Sequence, residues 1–128
     1  MKGTDALIQI YECFCDETRL RILNLLQEGS LCVCHLQNLL KQPQVKISKH
    51  LAYLRDKGLA EVERHQNWMI YSLPRKQSPE LEANLKCLQD CVQTKRVFQE
   101  DLRRLRGMKK DLCWIQNVCC GAKTGGRK

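Results

Sequence analysis

The sequence has 128 residues, enough for one domain with a modest core. Its net charge is +8, and the basic excess starts late, because residues 1–30 hold three Lys or Arg against five Asp or Glu. These numbers favour a polyanionic partner over an acidic one, and a membrane-spanning protein is excluded because no run approaches ~18 consecutive apolar residues.

The first part of the chain is predicted to form three helices. The first covers 5–15 and has one apolar stripe, formed by Leu7, Ile8, Tyr11 and Phe14. Asp16 is a suitable N-cap for a second helix over 17–27, and Ser30 is a suitable N-cap for a third over 31–40.

A helix-turn-helix is predicted next. After the KQPQ turn, a fourth helix over 44–57 has Ile47, Leu51 and Leu54 on one face and polar side chains on the other. That polar face is long enough to enter a major groove. Alternating residues on both sides of an HQN loop then predict a β-hairpin over 60–73, which in this position is a wing.

The last predicted helix covers 79–106, with Ser78 as its N-cap. At 1.5 Å per residue it spans about 40 Å. Because this exceeds what a domain of this size needs, part of its apolar stripe is expected to pack against a second copy in a two-fold dimer. The alternative is a helix that packs wholly on its own domain. We expect residues 1–110 to form one domain and residues 111–128 a flexible tail that contains cysteines.

Nine cysteines occur in a chain whose N-terminus carries acids where a secretory signal needs an apolar run. A cytoplasmic protein is therefore expected, with thiols used for metal or metalloid ligation, redox sensing or burial rather than for a disulfide framework. No HExxH, Walker-type or GxSxG motif is present, so an enzyme is not expected.

Cys32 and Cys34 lie one residue apart at the predicted start of the third helix. Two helical residues turn through about 200°, so these thiols share an ion only if the helix deforms.

The segments DETRLRILNLL, SLCVCHL, PQVKISKHLAYLRDKGLAE and WMIYSLP together resemble the ArsR/SmtB family of winged-helix repressors. The resemblance implies a mainly α protein with a small β-hairpin wing (α+β), a winged helix-turn-helix that forms a homodimer through its terminal helices. It also implies binding to double-stranded operator DNA without any required cofactor, and release when As(III) or Sb(III) binds. The implied DNA-binding residues are Gln44, Lys46, Ser48, Lys49, His50 and Tyr53 on the helix, with Arg64, His65 and Asn67 on the wing.

Cys32 and Cys34 are the expected metalloid ligands, because a soft ion selects thiolates over carboxylates. Relatives with this motif often carry a third Cys where this chain has Gln37, and an Asp where this chain has His35. We interpret His35 as a surface residue. The third thiolate is therefore expected elsewhere; the candidates are Cys13, Cys15, Cys113, Cys119 and Cys120.

Cys87 and Cys91 are four residues apart on the last helix, and we interpret them as small apolar residues of the dimer interface. The alternatives to a metalloid-responsive repressor are a redox- or soft-metal-responsive repressor (Cd, Pb or Zn) on the same scaffold and a thiol-rich metal-buffering protein, which needs neither helix-turn-helix nor wing.

Overall fold

The computed structural model describes residues 3–109, with side chains described for 6–91 and 93–108. In chain order the elements are α1 (Gly3–Cys13), α2 (Glu17–Leu26), β1 (Leu31–Cys32), α3 (Val33–Leu40), α4 (Gln44–Asp56), β2 (Glu61–His65), β3 (Trp68–Ser72), α5 (Pro79–Val92) and α6 (Arg96–Lys109). The strands form one antiparallel sheet in the order β1-β3-β2. The prediction of a mainly α protein with a β-hairpin wing is confirmed. None of the described helices is long and apolar enough to cross a membrane.

Local capping explains why α2 and α4 begin at the predicted residues, 17 and 44, and end one residue before the predicted ends, 27 and 57. The Asp16 carboxylate accepts a hydrogen bond from the Arg19 backbone N–H at 3.0 Å, which satisfies one of the free donors in the first turn of α2. Gly58 follows α4 with a φ of +84°, a conformation that glycine adopts without a steric penalty. The predicted inner face of α4, Ile47, Leu51 and Leu54, is fully buried.

The segment before α3 differs from the prediction. Leu31 and Cys32 form β1 and pair with Tyr71 and Ile70 of β3, so Ser30 does not cap a helix and α3 begins only at Val33. A two-residue strand has no periodicity of its own, and its partner is distant in the sequence, so local patterning gave no signal for it.

The wing is a tight hairpin. His65 of β2 pairs with Trp68 of β3, which leaves a two-residue loop, Gln66 and Asn67. Gln66 has a φ of 60°, the sign that such short hairpin loops require. The predicted hairpin is confirmed, although His65 lies in the strand and not in the loop.

The predicted single helix over 79–106 is wrong, because the chain breaks it at residues 93–95 into α5 and α6. At the break Thr94 Oγ1 donates to the Cys91 carbonyl at 3.1 Å, and Gln99 Nε2 donates to the Gln93 carbonyl at 2.6 Å. These side chains replace the hydrogen bonds of a continuous helix. The Ser78 N-cap is confirmed by its hydrogen bond from Leu81 N.

The second of these helices, α6, packs back on its own domain. Its Asp101 is fully buried and forms a two-point ion pair with Arg21 of α2, and Arg104 donates to the Leu39 carbonyl of α3 at 3.2 Å. Because no single long helix forms, helix length gives no reason for a second copy. The predicted tail over 111–128 lies outside the described residues.

The inner face of α1 also differs from the predicted stripe. Ile10 and Cys13 are buried in the core, whereas Ile8 and Tyr11 are 49% and 52% exposed. Helix α1 packs against α5 along a face rotated from the expected one. Two large apolar side chains of α1 therefore face outward.

Candidate thiol site and DNA-binding face

Cys32 and Cys34 lie together at the junction of β1 and α3. Cys32 is the N-cap of α3 and has an extended backbone, with φ −95° and ψ 167°. Its Sγ lies 3.1 Å from the Cys34 Sγ, a close contact but not a bond. The expectation that the two sulfurs meet only if the helix deforms is therefore wrong, because Cys32 is outside the helical turn. Cys32 itself is only 2% exposed, and Cys34 is disulfide-bonded.

His35 is buried, so its interpretation as a surface residue is wrong. His35 belongs to the first turn of α3, and its Nδ1 lies 3.4 Å from the Cys32 Sγ. Burial lowers the pKa of His35 from 6.5 to about 4, so the ring is neutral at pH 7. A neutral imidazole beside the sulfur pair adds a nitrogen that the sequence analysis did not include in the site.

The other candidate ligands are spread out. Cys13 is buried in the core at the end of α1, and burial raises the pKa of its thiol to about 11, while Cys15 is exposed just after α1. Cys113, Cys119 and Cys120 lie outside the described residues. Apart from Cys32, Cys34 and His35, no three Cys, His, Asp or Glu side chains between residues 3 and 109 are grouped to hold a metal ion. The identity of a third ligand stays a prediction.

Cys87 and Cys91 form a separate pair on α5. Both thiols are exposed in the single chain. The neighbouring Cys91, through its charge and a side-chain hydrogen bond, raises the pKa of Cys87. The two side chains therefore share one face of α5, as their spacing predicts.

One side of α4 presents a continuous exposed strip, lined by Gln44, Val45, Ser48, Lys49 and Ala52. Three of these residues were predicted to bind DNA, and the structure brings them onto the same face. Val45, which is 70% exposed, and Ala52 were not predicted. Val45 directly precedes the predicted Lys46, and Ala52 lies four residues after Ser48 on the same helical face. This spacing is the signal that could have identified both residues. Lys46 is also exposed on α4, and neither it nor Lys49 forms an ion pair within the described residues.

His50 and Tyr53 lie away from this strip. The His50 ring is 3.3 Å from Arg19 Nη1 and 3.7 Å from the Asp16 carboxylate, and the Arg19 guanidinium stacks 4.2 Å above the Tyr53 ring. Arg19 also donates to the carbonyls of Glu12 and Cys13. Both rings thus join α4 to the end of α1 and the start of α2.

The predicted wing residues lie at or near the tip of the hairpin. Arg64, His65 and Asn67 are all exposed. Arg64 Nε donates to the Gln66 carbonyl at 3.2 Å, which helps to hold the loop. The wing and the α4 strip are therefore both available to a partner.

The known proteins that this chain resembles are regulators of transcription. Residues 16–62 match the family model "Bacterial regulatory protein, arsR family". The chain is 49% identical over 67 residues to the arsenical resistance operon repressor of Escherichia coli K12, covering 52% of this chain but only 57% of that protein. It is 40% identical over 72 residues to the HTH-type transcriptional regulator MJ1325 of Methanocaldococcus jannaschii, covering 56% of this chain and 81% of that protein. Among solved structures, HlyU from Vibrio cholerae superposes with a TM-score of 0.62 at 29% identity, covering 71% of this chain and 97% of that one.

Proposed function

Because the chain belongs to the ArsR family of bacterial regulatory proteins, a family of transcriptional regulators and not of enzymes, we propose that it is a metalloid-responsive repressor. It binds operator DNA as a homodimer in the cytoplasm and leaves the operator when As(III) or Sb(III) binds Cys32 and Cys34. The observation that carries this proposal is the 3.1 Å contact of these two sulfurs at the first turn of α3.

The chemistry of the pair suits a trivalent metalloid. Each bond from arsenous acid to a thiol replaces one hydroxyl, which leaves as water with the thiol proton, so no oxidant is needed. Soft ligands favour such an ion over harder competitors. Because Cys34 is disulfide-bonded, the reaction requires the reduced protein. A third thiolate from Cys13, Cys15, Cys113, Cys119 or Cys120 would complete the usual three-coordinate site.

The position of Cys32 supplies a route from the thiols to the DNA. Cys32 is buried, so an ion that bridges it to Cys34 must displace packing where β1 meets α3. β1 pairs with the wing strand β3, and α3 packs against α4. An ion bound there therefore favours a different arrangement of the wing and α4. If the ion and the DNA prefer different arrangements, binding of one weakens binding of the other, which is what a switch requires. Bending of a helix is not part of this route.

The DNA-binding face combines charge with shape. Lys49 and the neighbouring Lys46 offer two cations to phosphates, while Gln44 and Ser48 offer hydrogen bonds to base edges. Val45 and Ala52 add apolar contacts of the kind that thymine methyl groups accept. Arg64, His65 and Asn67 of the wing are exposed, and they can contact the DNA backbone.

A second copy suits the exposed face of α1. Ile8 and Tyr11 are large apolar residues left in solvent on a single chain, and α1 lies against α5. A two-fold dimer through these terminal helices would cover them and present two copies of α4 to successive half-sites.

A mobility-shift assay tests the proposal, using the full-length protein, an operator fragment, and a phosphine reductant, which does not chelate arsenite as a dithiol would. We expect arsenite to release the unchanged protein. The Cys32→Ser, Cys34→Ser variant should bind the operator normally and stay bound. The Cys87→Ser, Cys91→Ser variant is the matched control and should still be released. A normal response of the first variant would contradict the proposal.

The disulfide at Cys34 favours one alternative, a repressor that responds to oxidation through the same thiol. The same assay separates the two. Release by peroxide, but not by arsenite under reducing conditions, would support the redox function.

A further inference from the structure

A cleft of about 630 Å³ has a lining that includes neither Cys32 and Cys34 nor the exposed strip of α4. It lies between the end of α2, the end of α5 and one face of α6. Its lining includes Asn24, Glu28, Leu102, Arg103, Arg106 and several glutamine side chains. Its volume is within the range of small-molecule sites, roughly 300–1,000 Å³.

The cleft contains a buried donor that has no acceptor. Asn24 is 3% exposed, and its Nδ2 group has no hydrogen-bond partner within the described structure. A buried amide N–H left unsatisfied is destabilising, so such groups are rare and usually meet a ligand or an ordered water. Asn24 lines the cleft, and because its Nδ2 atom is itself buried, an acceptor bound there reaches this atom once the Asn24 side chain turns toward the cleft.

Two guanidinium groups add positive charge at the rim. Arg103 and Arg106 lie on α6, and neither forms an ion pair or hydrogen bond within residues 3–109; the nearby Arg104 instead pairs with Asp101 and Glu100. Arginine recognises carboxylates through two parallel hydrogen bonds. With one acid, Glu28, against two arginines, the lining favours an anion.

From the orphaned Asn24 amide and the two unpaired guanidiniums, we propose that this cleft binds a small organic carboxylate. The glutamine amides and Leu102 suit the rest of such a molecule, and the volume exceeds what an inorganic oxyanion fills. This site is independent of the thiol pair.

The surroundings of the cleft connect it to DNA binding. At its other end α2 carries Arg19, which contacts His50 and Tyr53 of α4. From α6, Arg104 holds the last turn of α3 through the Leu39 carbonyl. A ligand that bridges α2 and α6 thus acts on both helices of the helix-turn-helix, and we expect it to change operator affinity.

The test uses the full-length protein and a panel of acetate, malonate, glutarate and citrate, with inorganic phosphate at matched ionic strength. At least one carboxylate should shift the side-chain amide signals of Asn24 in an NMR titration and bind more tightly than phosphate. The Arg103→Gln, Arg106→Gln variant should bind it at least about tenfold more weakly, since one charged hydrogen bond is worth about 1.5 kcal/mol or more.

Two further variants make the result specific. Lys95→Gln, Arg96→Gln changes the charge of the same region equally but lies outside the cleft, and should leave binding unchanged. Asn24→Leu removes the orphaned donor and should lose binding while the protein stays folded. The change in operator affinity should persist in the Cys32→Ser, Cys34→Ser variant, which separates this site from metalloid sensing. An unmoved Asn24 signal with every carboxylate, equal binding of phosphate, or equal weakening by the Lys95 and Arg96 changes would overturn the proposal.

Discussion

The buried ion pair between α2 and α6 allows a sharp test of how the C-terminal helix is held. We replace Asp101 by Asn, which keeps the shape of the side chain but removes its charge. Asp101 is fully buried and accepts from Arg21 Nε at 2.8 Å, from Arg21 Nη2 at 2.9 Å and from Arg104 Nη1 at 3.3 Å. The substitution leaves the guanidinium of Arg21 in place without its anion.

The expected loss in the free energy of unfolding is about 3 kcal/mol. Breaking a buried ion pair by removing one partner costs about 3–5 kcal/mol. The Arg21 side chain is 13% exposed, so water can partly solvate the abandoned charge, and the low end of that range applies. The double variant Arg21→Met, Asp101→Leu should recover most of the loss, because apolar residues of similar volume can replace a buried pair.

Urea unfolding at one protein concentration measures the effect, since the stability of the proposed dimer would depend on concentration. Glu100→Gln is the control: its carboxylate lies 3.9 Å from Arg104 on the surface, and its loss should cost less than about 0.5 kcal/mol. If Asp101→Asn were no more destabilising than this control, α6 would not be anchored by a desolvated charge pair.

Three other outcomes are expected. Lys49→Ala should weaken operator binding and lower the slope of log K against log salt by about one phosphate contact, while Lys86→Ala on α5 should leave the slope unchanged. With a small alkylating reagent at mildly alkaline pH, mass spectrometry should show exposed Cys15 reacting well before Cys13, whose pKa burial raises to about 11; similar rates would mean that α1 is not docked. Burial lowers the pKa of His50, although Asp16 opposes the shift. The folded state thus favours the neutral ring, and stability should fall as the pH drops below the unfolded value of 6.5. His50→Gln should reduce that dependence in urea unfolding, and an identical pH profile would contradict it.

The elements that the sequence predicted well are those specified by neighbouring residues. The caps at Asp16 and Ser78 act within one turn of the chain, and the alternation around Gln66 is a local pattern. Contacts between residues that are close in the sequence can be predicted directly from their order. The buried face of α4, with Ile47, Leu51 and Leu54, also followed from its periodicity alone.

The missed features depend on contacts between distant segments. β1 exists because Leu31 pairs with Tyr71, a residue distant in the sequence. His35 is buried only because the chain folds around the start of α3. The helix after Ser78 has nearly continuous apolar spacing, so its break at Thr94 showed only as a short polar run. The rotated face of α1 follows from its packing against α5. Each of these outcomes is decided by tertiary packing, which periodicity does not encode.

The shortness of β1 has a consequence for how this protein can change. A strand of two residues is held to Tyr71 and Ile70 by very few hydrogen bonds, so its place in the sheet depends largely on the burial of Leu31 and Cys32. Under the proposed function, substitutions at Ser30, Leu31 or Val33 would change how readily the operator is released without altering the exposed strip of α4. The response to the proposed inducer and the choice of DNA site would then be adjustable separately.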